Sequence, residues 1–190
     1  MAQTQKAEAK WKGKGWYQIL TPKYIGDVVI GETLAMEPNS LIGRVVEASL
    51  LDLTGDPEKF NVKFFFKVTE LSGSKAFTKF VGHEITRDFV TRAVQTRTGR
   101  IDTNDIVTFA DGKLRVKALA ITTRPVSENV DKAIRAAIRS AVIVSAKDKK
   151  IEEWVSAMAA GDIQSEIRAV INKLYPVRMF EIRASELIES

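Results

Sequence analysis

Cysteine is absent from all 190 residues, which removes disulfides, thiol nucleophiles and thiolate metal sites and is compatible with a reducing cytosol. Histidine occurs once. His83 is followed by Glu84 but not by the second histidine that a helical zinc-protease motif requires, so it reads as a structural or surface residue. No GxSxG elbow, Walker loop or dinucleotide-binding glycine fingerprint occurs, and the short "GKG" at Gly13–Gly15 lacks the Lys-Ser/Thr ending of a phosphate loop. Asp102 and Asp105 are candidates for a metal-dependent nuclease, because hard cations take carboxylate oxygens. Their place in a helix-to-strand turn is explained adequately by turn chemistry, which leaves the nuclease reading far behind. The expectation is a protein with no enzymatic activity, no cofactor and no bound metal.

Long apolar runs are also missing. The N-terminus has lysines and polar residues without a signal-peptide core, and no later segment stays apolar long enough to span a bilayer. A soluble, cytoplasmic protein without membrane contact is expected. There is no repeat at solenoid spacing and no long internal linker. With 45% hydrophobic and 28% charged residues, the chain has the composition of an ordered globular protein rather than a disordered one. Residues 1–15 read as a basic, flexible arm and residues 16–190 as a single α+β domain.

What is plentiful is positive charge, and it is segregated. The net charge is +5 and the pI about 9.4, a balance that suits a partner rich in phosphate. Lys6, Lys10, Lys12, Lys14 and Lys23 face only Glu8 in the first segment. Asp27, Glu32, Glu37, Glu47, Asp52, Asp56 and Glu58 outweigh Arg44 in the next. That acidic stretch could meet basic neighbours as a protein–protein scaffold. In the arm, Trp11 and Trp16 stand among Lys10, Lys12 and Lys14, the mixture of flat rings and ammonium groups that stacks on bases while meeting phosphates. "WYQIL" begins a strand-like run, which predicts Trp16 in the core and leaves Trp11 as either an anchor or a stacking ring.

Interrupted short strands are expected over Tyr24–Met36, a turn at Pro38–Ser40, and a strand over Arg44–Leu53 that Gly55-Asp56-Pro57 breaks. Asn61–Leu71 and Lys75–Val81 flank Ser72-Gly73-Ser74 and predict a hairpin with a three-residue loop. Alternation puts Val62, Phe64, Phe66 and Val68 on one face and Lys63, Phe65 and Lys67 on the other. A simple register sets Lys67 opposite Lys79, a repulsion that a phosphate backbone would neutralise. Ile101–Phe109 and Lys113–Thr123 form a second hairpin about Asp111-Gly112. Along its return strand the face carrying Arg115 and Lys117 becomes apolar at Leu119 and Ile121. Ser127 is placed to cap a long helix with a stripe of Val130, Ile134, Ala137, Ile138 and Ala141. A short helix with Trp154 and Met158, a restart at Gly161-Asp162, and a final strand over Val177–Ala184 follow. Strands joined by hairpins ahead of terminal helices predict an α+β fold with a mainly antiparallel, barrel-like sheet, a central helix and C-terminal helices.

The central helix is expected between the two hairpins, in "GHEITRDFVTRAVQTRTGRIDT" from Gly82 to Thr103. Thr86 is placed as N-cap, Asp88 suits the positive end of the helix dipole, and Gly99 is placed as the stop with Arg100 beyond it. Phe89, Val90, Ala93 and Val94 share a packing face, leaving Arg87, Arg92 and, at the border, Arg97 turned outward. Together with Lys63, Lys67, Lys79, Arg100, Arg115 and Lys117, and with Lys10, Trp11, Lys12 and Lys14 in the arm, these are the candidate RNA-binding residues.

Taken in order, "KWKGKGWYQILTP", "GRVVEASLLDLTGD", "GHEITRDFV" and "LYPVRMFEIRASEL" resemble a small-subunit ribosomal protein family of archaea and eukaryotes, called S-one-e or S-three-a-e, from about Lys10 to Ile188. The chain ends soon after "RASELI", like the compact archaeal form. The resemblance implies a structural, rRNA-binding role on the platform of the small subunit, near the 3′ end of its rRNA and the mRNA exit. Neighbouring platform proteins are the implied protein partners, and mRNA near the exit is a further candidate contact. Carried over by motif, Arg87, Lys10, Lys12 and Lys14 become possible rRNA contacts. A free RNA-binding regulator or RNA chaperone outside the ribosome is the alternative that the same surface leaves open.

Overall fold

A computed structural model describes residues 14–147 and 149–188. Eight strands, β1 (Gly15–Leu20), β2 (Val29–Ala35), β3 (Val45–Ser49), β4 (Val62–Ser72), β5 (Lys75–Ile85), β6 (Gly99–Thr108), β7 (Lys113–Thr122) and β8 (Val177–Ile188), share one sheet. Its helices are α1 (Leu50–Thr54), α2 (Arg87–Ala93), α3 (Glu128–Ala146), α4 (Ile151–Ala160) and α5 (Asp162–Asn172). The strand order β2-β1-β5-β8-β7-β6, with β3 and β4 branching from β5, leaves the sheet unclosed. The fold is α+β, and every strand pair is antiparallel except β1 with β5.

The branch arises because β5 changes partner along its length. One edge of β5 is filled by β4 throughout. The other pairs with β1 at Lys75–Phe77 and with β8 only at Gly82–Glu84. Beyond Glu84 the two strands part, and this fork positions the features described below. β8, the last strand, therefore lies near the middle of the sheet, between β5 and β7.

Both expected hairpins form. In the first, Ser72 opposes Lys75, so the loop is the two residues Gly73-Ser74 rather than three, with Gly73 at a φ of 59°. A register shift between Val68 and Glu70 restores the offset, and Lys67 does stand opposite Lys79. Phe64, Phe66, Val68, Ala76, Thr78 and Phe80 are buried on the inner face as period-2 alternation requires.

Helices α3, α4 and α5 cover that inner face. Ile134, Ile138 and Val142 of α3, Trp154, Val155 and Met158 of α4, and Ile163, Ile167 and Ile171 of α5 join Phe64, Phe66, Phe80, Leu114 and Phe180 in the main core. The Trp154 indole meets the Phe109 ring edge-on at 5.5 Å and donates through Nε1 to Ser145 Oγ at 3.2 Å, satisfying its one polar atom in a dry setting. Val170 and Leu174 are exposed rather than packed. Ser127 takes the N-cap position of α3 without a side-chain capping bond.

Four expectations are corrected. Trp16 is 62% exposed, because β1 turns its odd-numbered residues Tyr17 and Ile19 toward the cluster containing Ala35, Leu41, Val68 and Ala76. The strand expected over Arg44–Leu53 stops at Ser49, whose hydroxyl accepts from the Leu51 N–H at 3.2 Å and caps α1. The central helix ends at Ala93. Thr98 Oγ donates to the Gln95 carbonyl at 2.7 Å and accepts from the Gln95 N–H at 3.2 Å, and Arg97 adopts a φ of 69°, so a local turn competes successfully with further helix. Gly99 consequently starts β6 instead of stopping a helix; a Cβ there would lie 2.4 Å from Thr122 Oγ1, which accepts the Gly99 N–H.

Candidate nucleic-acid interface

Helix α2 sits on the outer face of the sheet because "RDFVTRA" turns Phe89, Val90 and Ala93 toward Ile85 at the end of β5 and toward Leu119 and Ile121 at the apolar end of the β7 outer stripe. The basic end of the same stripe, Arg115 and Lys117, remains uncovered. Between α2 and the open sheet lies a trough of about 790 Å³. Arg87, from the first turn of α2, lines it together with Arg100 of β6, Lys117 of β7 and Arg183 of β8, while Phe65 of β4 lines it from the far strand.

Two acids share the lining with these four cations, and a third, Asp102, holds Arg100. Glu186, opposite Gly82, accepts a short hydrogen bond from Lys117 Nζ and lies 3.7 Å from Arg115 Nη1, so Arg115 and Lys117 are drawn to one carboxylate. Glu84 is the second acid of the lining. Arg100 is held by Asp102 through a fork, Nε to Oδ2 at 2.7 Å and Nη2 to Oδ1 at 3.2 Å, and the Asp102 carboxylate raises the Arg100 pKa further above its ordinary value. Such partly exposed pairs contribute little to stability.

The structure thus gathers Arg87, Arg100 and Lys117, with Arg115 through Glu186. The remaining sequence candidates lie elsewhere. Arg92 folds back along α2, donating from Nε to the Asp88 carbonyl at 3.2 Å, and exposed Arg97 follows in the turn after it. Lys63 pairs with Glu47 across the β3–β4 ladder at 3.2 Å. Lys67 and Lys79 line a separate hollow of about 400 Å³ with Asp111 and Glu152. Lys14 is partly buried at the start of the described chain. Lys10, Trp11 and Lys12, with most of the arm assigned to residues 1–15, lie outside the described residues.

Arg183 was not legible as a site residue. It falls at a register shift, where Lys117 and Ala118 of β7 oppose Ala184 and Ile182 and leave Arg183 as the extra residue. Simple alternation gives no warning of that. Phe65 was placed on the polar face by period, but nothing in the sequence put it beside α2.

His83 and the paired aspartates do not form a reactive site. The His83 ring is buried: Nε2 donates to the Ile182 carbonyl at 2.8 Å, which leaves Nδ1 to accept from the Ser185 hydroxyl at 2.6 Å. Burial lowers its pKa to about 4, so the ring is neutral at pH 7. Asp102 and Asp105 are in mid-strand, not in a turn, and face opposite sides of β6. Asp102 holds Arg100, whereas Asp105 accepts from Arg139 Nε of α3 at 2.8 Å. Among the described residues no group of three or more His, Asp or Glu side chains is arranged to hold a metal ion, and no helix is long and apolar enough to cross a membrane.

Below the fork of β5 and β8 lies a second cavity, of about 270 Å³, closed by the α4–α5 corner. Lys59 Nζ donates to the carbonyls of Ala159 and Ala160 at 3.0 and 3.4 Å, satisfying the end of α4. Glu181 also lines it. Burial pushes its carboxyl up to about 7, an effect that the nearby Arg168 guanidinium partly offsets.

Comparison with known proteins agrees with the arrangement of motifs along the chain. The chain is 38% identical over 189 residues to the small ribosomal subunit protein eS1 of Methanothermobacter thermautotrophicus, covering 99% of this chain and 97% of that one. It is 38% identical over 185 residues to the protein of the same name from Methanothrix thermoacetophila, covering 97% and 88%. With the Methanococcus maripaludis C7 protein, also so named, identity is 39% over 184 residues, covering 96% and 82%. The profile of the Ribosomal S3Ae family matches residues 2–190, and the chain belongs to that family.

Proposed function

We propose that this protein is a constituent of the small ribosomal subunit that binds rRNA through the trough beneath α2, on the platform near the rRNA 3′ end and the mRNA exit. Family membership carries the coarser statement: the chain is a structural ribosomal protein and not an enzyme. The observation that supports the finer one is the convergence of Arg87, Arg100, Lys117 and Arg183 on one concave surface beside Phe65. Guanidinium and ammonium groups neutralise phosphates, a half-buried ring offers a face to a base, and the packed core behind holds both in register.

The remaining cations act as a wider electrostatic skirt. Lys63, Lys67, Lys79, Arg92, Arg97 and the arm residues Lys10, Trp11, Lys12 and Lys14 are proposed as peripheral contacts. A phosphate near Lys67 and Lys79 would relieve their mutual repulsion. The acidic segment from Asp27 onward suits the basic surfaces of neighbouring platform proteins.

The test is cosedimentation of the full chain with small ribosomal subunits, paired with binding of small-subunit rRNA over a range of salt. Arg87→Ala with Arg183→Ala is expected to lower rRNA affinity and reduce the salt slope by about two, with thermal stability unchanged because both side chains reach solvent. Normal rRNA binding by the double variant would overturn the site. Abundant protein that never travels with ribosomal particles would favour a free RNA chaperone instead.

A further inference from the structure

We propose that the cavity at the fork of β5 and β8 takes one unstacked guanine base, read by Glu181 and Gln164. The inference rests on the RNA-binding reading above but concerns a different site. Three observations carry it. The first is size: about 270 Å³ lies just below the 300–1,000 Å³ of sites for drug-sized ligands, enough for one base and too little for a nucleotide. The second is the wall, in which Phe64, Phe89, Phe180 and Met158 present apolar surface of the kind that receives a base taken out of its stack.

The third is an unmet demand for hydrogen-bond donors. Gln164 Nε2 donates to the Met158 carbonyl at 3.0 Å. That bond fixes the amide orientation, since the flipped amide would set two oxygens against each other. Gln164 Oε1 is then left buried without a partner among the described residues. An unpaired buried acceptor is rare in a native fold and calls for a donor from outside the chain. The Glu181 carboxyl, which lines the same cavity, likewise has no hydrogen bond or salt bridge among the described residues. The space therefore offers acceptors.

Guanine answers with donors. Its N1–H and one N2–H can reach a carboxylate side by side, and the second N2–H remains for Gln164 Oε1. Adenine presents one donor and one lone pair on that edge; it suits the protonated Glu181 carboxyl but sets its lone pair against the carboxylate. The discrimination therefore belongs to the ionised form and is read at pH 8, above the value of about 7 to which burial raises this group. An arginine side chain from a partner protein also carries enough donors. It is the poorer fit, because Lys59 and Arg168 already border the cavity and a third cation would be repelled. Arg168, exposed at the rim, is placed to meet the phosphate of the inserted nucleotide.

The experiment titrates the full, isotope-labelled chain with GMP, IMP, AMP and free arginine, reading the Gln164 side-chain amide and the Ser165 backbone amide by NMR. GMP is expected to saturate both signals about tenfold more tightly than IMP, which lacks the N2 amine, or AMP. Glu181→Gln is expected to abolish that preference while the rest of the spectrum stays folded. Equal binding of GMP and AMP, silence at both amides, or tighter saturation by arginine would each overturn the proposal. Salt-dependent rRNA binding is measured in parallel. If it fails while the GMP preference stands, the trough reading falls alone; if it holds while the preference is absent, the base site falls alone.

Discussion

His83 Nδ1 and the Ser185 hydroxyl lie 2.6 Å apart and pin β5 to β8 within the three residue pairs where those strands meet. Because Nε2 is already committed to the Ile182 carbonyl, Ser185 is the donor that Nδ1 requires. Replacing Ser185 by Ala leaves a buried acceptor unsatisfied and is expected to cost about 1–3 kcal/mol in urea unfolding. A variant as stable as the parent would show that the pin is dispensable.

The same fork governs the pH response. The folded state holds His83 at about 4 against 6.5, so the stability it contributes is complete above pH 6.5 and is lost as pH falls toward 4. Glu181 runs the other way. Its folded value of about 7 against 4.5 means that the folded state binds the proton more tightly, so a penalty builds as pH rises from 4.5 to 7. Glu181→Gln should therefore be little different from the parent at pH 4.5 and more stable above pH 7, by up to about 3 kcal/mol. Denaturant midpoints at the two pH values check this, and a gain that shrinks with rising pH would contradict it.

Gly82 shows how closely the strands approach at the pin. A Cβ on it would fall 2.4 Å from the Ser185 carbonyl oxygen, a backbone atom that cannot step aside. Gly82→Ala is expected to lose about 2 kcal/mol or more and to loosen the trough, whose lining includes Gly82. Thermal melting with amide exchange across β8 would report it; unchanged protection of the β8 amides would refute the strain.

Lys79 opposes Lys67 across the β4–β5 ladder. Lys79→Glu converts like charges into opposite ones and should stabilise the hairpin by about 0.5 kcal/mol at low salt, with the gain fading as salt rises. If Lys79 also meets phosphate, the same variant binds rRNA less tightly. A stability gain that does not respond to salt would mean that the charges are not its source.

Much of the fold could be read from period and punctuation. The alternation of Phe64 and Phe66 with Lys63 and Lys67 placed both faces of β4, Asp111-Gly112 marked the second turn, and Gly161 separated the last two helices. Register survived even where the loop length differed, since a bulge compensated for the shorter turn. The misreadings share a cause. At Ser49 and Thr98 a hydroxyl bonded to nearby backbone, and that local bond decided the outcome over strand or helix periodicity. Trp16 was misplaced because its burial depended on which face of β1 another part of the chain would cover.

The sequence by itself determined the chemistry available: no thiols, one histidine, an excess of cations, an ordered succession of hairpins and amphipathic helices, and motifs in the order of a ribosomal family. Those are properties of composition and short spacing, where side-chain alternation and turn preferences act over a few residues. Only the tertiary structure decided which cations share a surface. Arg87, Arg100, Lys117 and Arg183 come from four elements and meet because β8 returns to the middle of the sheet and α2 covers the apolar end of β7 alone. That return is driven by burial of Phe180 and Ile182 against distant strands, an interaction between segments whose separation along the chain carries no local signal.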